Sequence, residues 1–113
     1  MVFKAMLVAT TLAASCAPAY SRPLYASWYG GGERLSSHTA SGARFHPGAH
    51  TVAHRSLPFG TKLLITHGGR QAICVVNDRG PAAKTGRSLD LARGCAQAVG
   101  LRSVGWVDAQ RLN

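Results

Sequence analysis

The carboxylate best placed for chemistry in this sequence is Asp78, within the segment Asn77-Asp78-Arg79-Gly80-Pro81. It follows a run of aliphatic and β-branched residues and precedes a turn, so we expect it at the end of a strand. A protonated carboxyl group there could donate its proton to the leaving oxygen of a glycosidic bond. The structural alternative is an Asx turn, in which the side chain accepts hydrogen bonds from the following backbone.

Aromatic and hydroxyl side chains suited to holding a sugar occur earlier in the chain. Trp28 and Tyr29 are adjacent on a predicted strand, and because side chains alternate along a strand, only one can face a groove. We choose Tyr29 for the groove. The loop 35–50 supplies further candidate ligands for sugar oxygens, which are Thr39, Ser41, Arg44 and His46. The alternative is that the aromatic rings belong to the core and the hydroxyl groups satisfy the loop itself.

The N-terminal residues 1–19 have the pattern of a cleavable export signal. Lys4 provides a positive start, residues 5–14 are small or apolar, and Ala17-Pro18-Ala19 has the small-x-small form of a signal-peptidase site. The apolar run is about half of the ~20 residues that span a bilayer as a helix. We therefore predict a mature domain of residues 20–113 in the periplasm or outside the cell. Lipid modification at Cys16 is the alternative, although Leu12 lies one position further from Cys16 than the lipobox of a bacterial lipoprotein requires.

Export determines how the remaining cysteines are interpreted. Cys74 and Cys95 would reach an oxidising compartment as a pair, and we predict a disulfide between them. In the chain-entropy model the loop that it closes is worth about 3 kcal/mol. Two buried free thiols are the alternative. Neither a metal site nor a cofactor is expected, because the five histidines are scattered and no cysteine or histidine pair has zinc spacing.

The chain is strongly basic, with a net charge of +9 at pH 7, one unit of which leaves with Lys4. A basic surface favours anionic partners, which outside the inner membrane are peptidoglycan carboxylates, teichoic acids and lipid head groups. The arginines are scattered, so solubility alone is the alternative. Without a basic helix or a stacking array, nucleic acid is not an expected partner. We expect membrane contact only through a lipidated Cys16, and a monomer.

Short apolar runs separated by glycine predict a β protein. The chain has 13 glycines and 5 prolines. Two of the runs flank His67-Gly68-Gly69-Arg70, which predicts a hairpin because glycine accepts the positive φ of a tight turn. The predicted strands are 25–29, 62–66, 71–77 and 104–107.

One helix is predicted over residues 91–99. Asp90 would cap its start and Gly100 its end, and the apolar stripe would consist of Leu91, Cys95, Ala98 and Val99. This interpretation makes Asp90 a capping residue and excludes it from the catalytic set.

Six short motifs occur in a fixed order along residues 25–107. They are Ala26-Ser27-Trp28-Tyr29-Gly30, Thr39-Ala40-Ser41-Gly42, Ala53-His54, Leu57-Pro58-Phe59-Gly60-Thr61, Asn77-Asp78-Arg79-Gly80-Pro81 and Leu89-Asp90-Leu91. In these motifs the chain resembles the rare lipoprotein A family of septal ring lytic transglycosylases. The resemblance implies a mainly β fold, a small six-stranded double-psi β-barrel with one short helix. It also implies lytic transglycosylase activity on the glycan strands of peptidoglycan.

The resemblance implies roles for individual residues. Asp78 would be the acid, and because the sugar's own 6-hydroxyl attacks and leaves a 1,6-anhydro end, no second carboxylate is needed to activate water. His54 would bind the sugar or Asp78, although a lone histidine is more often structural. Asn77 and Arg79 would contact the substrate.

The chain departs from the family pattern in one loop. Catalytic members resemble Thr-Ala-Ser-Gly-Glu-Arg-Phe-Asp there, whereas Ala43 and His46 occupy the two acidic positions in this sequence. The sequence therefore supports two hypotheses. One is an enzyme with Asp78 and His54 at its centre. The other is an expansin-like module that binds peptidoglycan without cutting it.

Overall fold

The computed structural model describes residues 21–31 and 36–113, and six strands of this part form a closed barrel. The predicted signal segment, with Cys16, lies outside the described residues. The strands are β1 (Ser21–Tyr29), β2 (Thr51–Ala53), β3 (Lys62–His67), β4 (Arg70–Asp78), β5 (Leu89–Ala92) and β6 (Gly105–Arg111). A 3-10 turn, Ala83–Thr85, precedes β5, and one α-helix, α1 (Arg93–Val99), follows it.

The strands close in the order β1-β5-β2-β4-β3-β6. The pairs β1–β5 and β2–β4 are parallel, and the other four pairs are antiparallel. The short strand β2 is thus inserted between β4 and β5, parallel to the first and antiparallel to the second. The prediction of a mainly β, six-stranded barrel with one short helix is confirmed.

The β3–β4 hairpin forms where the two glycines predict it. His67 pairs with Arg70, so the turn is Gly68-Gly69 alone, with φ values of 54° and 82°. Residues with a Cβ are disfavoured at both positions, because L residues rarely adopt a positive φ.

The core fills the barrel with inward-facing residues of alternate strand positions. Each buried aliphatic side chain contributes about 1.5–3 kcal/mol relative to full exposure. The largest fully buried side chains are Leu63, Ile65, Leu89, Leu91, Val52, Val76, Val99 and Val107.

The predicted helix start at Leu91, with Asp90 as its cap, is wrong. Leu89–Ala92 form strand β5, α1 begins at Arg93, and its N-cap is Ala92 without a side-chain hydrogen bond. The reason is tertiary: Asp90 pairs with Ser27 of β1 and with Ala53 of β2, so neighbouring strands occupy both of its edges. The predicted end is correct, since Gly100 has a φ of 73°. The closing strand is longer than expected, because β6 continues to Arg111.

The predicted disulfide is present between Cys74 of β4 and Cys95 of α1. Both residues are fully buried. The bond therefore fastens the helix to the barrel wall from within the core.

Replacing both cysteines by alanine is expected to lower the free energy of unfolding by about 3 kcal/mol, because the unfolded chain gains the entropy of the opened loop. Urea denaturation followed by circular dichroism measures the change. Reducing the wild-type disulfide should produce a similar loss. An unchanged urea midpoint after either treatment would contradict the prediction.

Gly94 allows the loop 46–49 to lie against the start of α1. Its N–H donates to the Pro47 carbonyl over 2.7 Å. A methyl group at this position would overlap the carbonyl group of Gly48. The loop that carries Phe45 and Pro47 therefore packs on the helix only because residue 94 has no side chain.

The substitution Gly94→Ala is expected to destabilise the domain by about 1–3 kcal/mol, since backbone rather than a flexible side chain must move. The matched control is Gly48→Ala, whose new methyl group would meet no heavy atom within 4 Å. Thermal unfolding of the two variants makes the comparison. Equal stability of both would show that the loop does not depend on this contact.

Candidate active site

A cleft of about 310 Å³ is lined by residues of β1, β2, β4 and β5 and of the loop that precedes β2. It contains three of the residues that the sequence singles out, Asp78, Tyr29 and Arg79. Five residues outside the predicted site complete its lining, and these are Ser36, His38, Phe45, Ala53 and Asp90.

Two aspartates face each other across strand β2. Ala53 pairs with Asp78 of β4 on one side and with Asp90 of β5 on the other. Since neighbouring strands lie about 4.8 Å apart, the two aspartate backbones are separated by about 10 Å. Alanine has a small side chain, so the space between the carboxylates remains open. The arrangement is a trough with Ala53 as its floor and a carboxylate on each wall.

A register shift in β2–β4 sets the position of Asp78. Val52 pairs with Val76, but Ala53 pairs with Asp78, so Asn77 is the extra residue of a β-bulge. The Asn77 carbonyl accepts the Ser41 N–H over 3.2 Å. Its side-chain Oδ1 is buried and has no hydrogen-bond partner among the described residues. Asn77 does not line the cleft, and its observed contact is to the loop.

The two oxygens of Asp78 have different surroundings. Oδ1 accepts the backbone N–H groups of Ala40 and Arg79, each over 2.9 Å. Within the described part of the chain, no group donates to Oδ2. The Asx-like contact that the sequence allows is therefore present on one oxygen, and the other remains available to a ligand.

Asp90 is held through a serine hydroxyl. The Ser27 Oγ donates to Asp90 Oδ1 over 2.8 Å, and Arg87 Nη1 donates to the same Oγ over 2.6 Å. Because the guanidinium occupies a lone pair of the hydroxyl, the hydroxyl proton is directed at the carboxylate. The sequence interpretation of Asp90 as a helix cap missed this contact.

Tyr29 lines the cleft, whereas Trp28 does not. The Tyr29 ring stacks on Phe45, with centroids 5.4 Å apart and planes 16° from parallel. Its buried hydroxyl has no partner among residues 21–31 and 36–113. Burial raises the pKa of Tyr29 well above its ordinary value, and the charges of Asp78 and Asp90 raise it further. The phenol is therefore a neutral hydrogen-bond donor inside the cleft.

Arg79 is fixed beside the cleft by three contacts. Its Nη1 donates to the carbonyl oxygens of His54 and Leu57 over 3.3 and 2.8 Å. The guanidinium carbon lies 3.9 Å from the centroid of the Phe59 ring, a cation–π contact. The positive charge at this wall thus has a defined position before any ligand arrives.

His54 supports the cleft without lining it. Its Nδ1 accepts the backbone N–H groups of Ser56 and Leu57 over 3.1 and 3.0 Å, so the ring proton is on Nε2. Its own N–H donates to the Asp78 carbonyl over 3.2 Å. Burial lowers the pKa of His54, and the positive charges of Arg55, Arg79 and Arg22 lower it further. The ring is therefore neutral, and by accepting these hydrogen bonds it supports the backbone of residues 54–57.

The other predicted loop residues lie outside the cleft lining. Thr39 and Ser41 bond to each other, with 2.9 Å between their hydroxyl oxygens, and to the Ala43 backbone. Arg44 and His46 are exposed. The same loop instead supplies Phe45 and His38 to the cleft. Thr39 and Ser41 thus hold the loop together, and Arg44 and His46 face solvent.

Neither a metal cluster nor a membrane span occurs in the described ranges. No group of three or more histidine, cysteine, aspartate or glutamate side chains is close enough there to hold an ion. No helix of that part is long and apolar enough to cross a bilayer.

Comparison with known proteins now identifies the family. Residues 21–110 match the sequence model of the family described as lytic transglycolase. This chain belongs to that family.

Curated relatives of the family agree with this assignment. The chain is 47% identical over 79 residues to a probable endolytic peptidoglycan transglycosylase RlpA of Nostoc, covering 67% of this chain and 21% of the relative. It is 46% identical over 86 residues to the protein of the same name from Aquifex aeolicus, covering 74% and 37%. The chain thus spans well under half the length of these relatives.

A solved structure also shares the fold. The Streptomyces papain inhibitor superposes with a TM-score of 0.64 over 85% of this chain and 97% of its own, at 17% sequence identity. Similarity at that identity concerns the architecture alone, and it agrees with the double-psi barrel expected of the family.

The neutral form of His54 predicts a pH dependence of stability. Since its folded pKa is below 6.5, the unfolded state binds more protons, and stability is lost as the pH falls below 6.5 towards the folded value. His54→Asn retains an acceptor near Nδ1 but does not titrate. Between pH 7.5 and 5.5 the variant should lose less unfolding free energy than the wild type, as measured by urea denaturation. The two proteins differ only at residue 54, so parallel pH profiles would contradict the assignment.

Proposed function

We propose that this domain is a peptidoglycan lytic transglycosylase that acts on glycan strands in the cell envelope and leaves 1,6-anhydro ends. One observation carries the proposal: two carboxylates, Asp78 and Asp90, flank an open trough beside a neutral phenol. The names of the relatives, endolytic peptidoglycan transglycosylases, agree with it. Because the chain covers only part of those proteins, the activity of this domain needs its own test.

Asp78 is proposed as the acid. Since two backbone N–H groups occupy Oδ1, a proton on this carboxyl group resides on Oδ2, the oxygen without a protein donor. Oδ2 gives that proton to the glycosidic oxygen as the bond to C1 breaks. The 6-hydroxyl of the same sugar then attacks C1, and its proton returns to Asp78. The proton balance closes without water.

Asp90 and Tyr29 are proposed to act on the sugar during that step. Positive charge develops at C1 as the bond breaks, and Asp90, held by Ser27, provides a negative charge on the opposite wall. The Tyr29 hydroxyl, buried without a partner in the described residues, is proposed to donate to a sugar oxygen. His54 maintains the backbone around Asp78 rather than exchanging protons.

A second candidate is a module that binds peptidoglycan without cleaving it. What favours it is the loop 39–46, where the resemblance to the family implies acidic residues at the positions of Ala43 and His46; both residues lie exposed, outside the cleft lining. In that case Tyr29 and Arg79 would hold the glycan, and no bond would break.

The same proposal includes export of the protein from the cytoplasm and a monomeric state. A protein that acts on peptidoglycan must leave the cytoplasm, in agreement with the signal pattern of residues 1–19. The disulfide between Cys74 and Cys95 also suits an oxidising compartment.

Incubation with peptidoglycan sacculi tests the function. The wild type should release soluble products with anhydro ends, detected by mass. Asp78→Asn should reduce release by about 10²–10⁴-fold, the usual contribution of a general acid, because asparagine keeps the Oδ1 acceptor but cannot donate an acidic proton. Asp90→Asn should reduce it by about 100-fold.

Thermal unfolding and binding provide the controls for this experiment. Both variants should melt near the wild-type temperature, so that lost activity is not lost fold. If the wild type pellets with sacculi and releases nothing, the enzyme is excluded and the binding module remains.

A further inference from the structure

Two aromatic side chains form a pair on the outer face of the barrel. Tyr25 of β1 and Trp106 of β6 occupy paired positions of these antiparallel strands. Their ring centroids are 5.2 Å apart, and the ring planes are tilted by 54°. The Trp106 side chain is 64% exposed, and Tyr25 is half-buried. We call Tyr25 and Trp106 the aromatic platform.

The aromatic platform is on the same face of β1 as the cleft. Side chains alternate between the two faces of a strand, so Tyr25, Ser27 and Tyr29 share one face. Ala26, between the first two, belongs to the core on the opposite face. Tyr29 lines the cleft, and Ser27 bonds to a carboxylate of the cleft. The surface of the cleft therefore continues along β1 to the platform.

Arg87 connects the cleft with the platform. Its Nη1 donates to the Ser27 hydroxyl that holds Asp90, and the N–H of the next residue, Ser88, donates to the Tyr25 carbonyl over 2.8 Å. A guanidinium group has five N–H donors, and within the described residues the Arg87 side chain makes this one hydrogen bond. Its other donors are available to a ligand that passes between the two sites.

The separation of the two sites requires a ligand of several units. Trp106 lies two strands across and two residues along from Asp90. With about 4.8 Å between strands and about 3.3 Å per residue, their backbones are about 12 Å apart. One sugar ring cannot contact both residues, whereas a glycan chain can.

The chemistry of the platform suits a sugar better than a lipid. Within the described part of the chain, neither the Trp106 Nε1 nor the Tyr25 hydroxyl has a hydrogen-bond partner. Each ring thus offers an apolar face and a free polar edge, which match the C–H face and the hydroxyl groups of a sugar. Asp108, two residues further on the same face of β6, is exposed, and its charge would repel anionic lipid head groups.

We propose that the aromatic platform is a distal sugar subsite, where the glycan chain that leaves the cleft past Asp90 stacks on the Trp106 indole. This inference deepens the proposed function of the cleft and rests on it. The chain would run across the barrel, over β2 and β5 in the cleft and over β1 and β6 at the platform. Binding then depends on chain length, because only a chain that extends beyond the cleft reaches Trp106.

Calorimetry with oligosaccharides of N-acetylglucosamine tests the proposal. All proteins carry Asp78→Asn, so that binding is measured without cleavage, and the ligands are the disaccharide and the hexasaccharide. The test variant adds Trp106→Ala. The matched control adds Ile73→Ala, which removes an exposed apolar side chain from β4 outside the cleft. Trp106→Phe keeps an aromatic ring at the platform.

Trp106→Ala should weaken hexasaccharide binding about tenfold and leave disaccharide binding unchanged, because the short ligand occupies the cleft alone. The Ile73→Ala protein should bind like the parent, and Trp106→Phe should retain most of the affinity. Unchanged hexasaccharide binding by Trp106→Ala would overturn the proposal. An equal loss for both ligands would overturn it too, since the effect would not depend on chain length.

Tryptophan fluorescence gives a second measurement that does not depend on the alanine variant folding. The hexasaccharide should shift the emission of the parent to shorter wavelength, because it covers an exposed indole. The Trp106→Phe protein should bind without that shift. A parent that binds the hexasaccharide with no change in emission would contradict the subsite.

Two other occupants of the platform are separate outcomes of the test. If Trp106→Ala abolishes binding to phosphatidylglycerol vesicles and leaves sugar affinity unchanged, the platform contacts lipid and the proposal is overturned. If sedimentation shows a dimer that Trp106→Ala dissociates, again with unchanged sugar affinity, the platform is an interface between two copies.

The subsite and the enzyme fail separately. Sugar binding is measured with a protein that cannot cleave, and cleavage is measured as product released from sacculi by the wild type. A wild type that releases nothing, while hexasaccharide binding still depends on Trp106, would refute the enzyme and retain the subsite.

Discussion

The two-sided pairing of β2 is the constraint on which the rest of the structure depends. This strand has three residues, and its backbone pairs with β4 along one edge and with β5 along the other. Removing it would leave two unpaired strand edges and an open sheet. Because β2 lies between β4 and β5, it also brings Asp78 and Asp90, which are 12 positions apart in sequence, to the two sides of one strand. Both the core residue Val52 and the trough floor Ala53 belong to it.

The two aspartates beside β2 are held by different means. Asp78 is bonded through one oxygen to the backbone of the loop and of the adjoining turn. Asp90 is bonded to a side chain, Ser27, which Arg87 orients. The backbone of the loop and turn therefore fixes the position of the Asp78 carboxylate. The Ser27 hydroxyl, oriented by Arg87, fixes that of the Asp90 carboxylate. The cleft combines these with a cation fixed by Phe59 and a phenol kept neutral by burial.

The sequence predicted the elements that depend on one residue or on a few neighbouring residues. Gly68-Gly69 define the hairpin turn, and Gly100 ends the helix, because a positive φ is a property of single residues. The pairing of Cys74 with Cys95 followed from their being the two cysteines of the predicted mature chain. Family motifs supplied the barrel and drew attention to Asp78 and Tyr29.

The sequence analysis missed the features that depend on contacts between residues distant in the chain, because such contacts leave no local pattern. Asp90 resembles a helix cap when only its neighbours are considered, and its strand state comes from partners on β1 and β2. Strand β2, with three residues, is too short to show a hydrophobic period. Ser36 and His38 reach the cleft because their loop folds back on Asp78 through Ala40. No residue pattern in the loop itself distinguishes them from Thr39, Ser41 or Arg44.

The double attachment of Asp78 has an evolutionary consequence. Its Oδ1 holds the loop at Ala40 whether or not Oδ2 takes part in chemistry. A lineage that ceased to cut glycan would still be selected to keep this aspartate, because losing it would release the loop that carries Phe45. Presence of the residue in a newly sequenced member of the family is therefore weak evidence of catalysis, whereas its absence would be strong evidence against it.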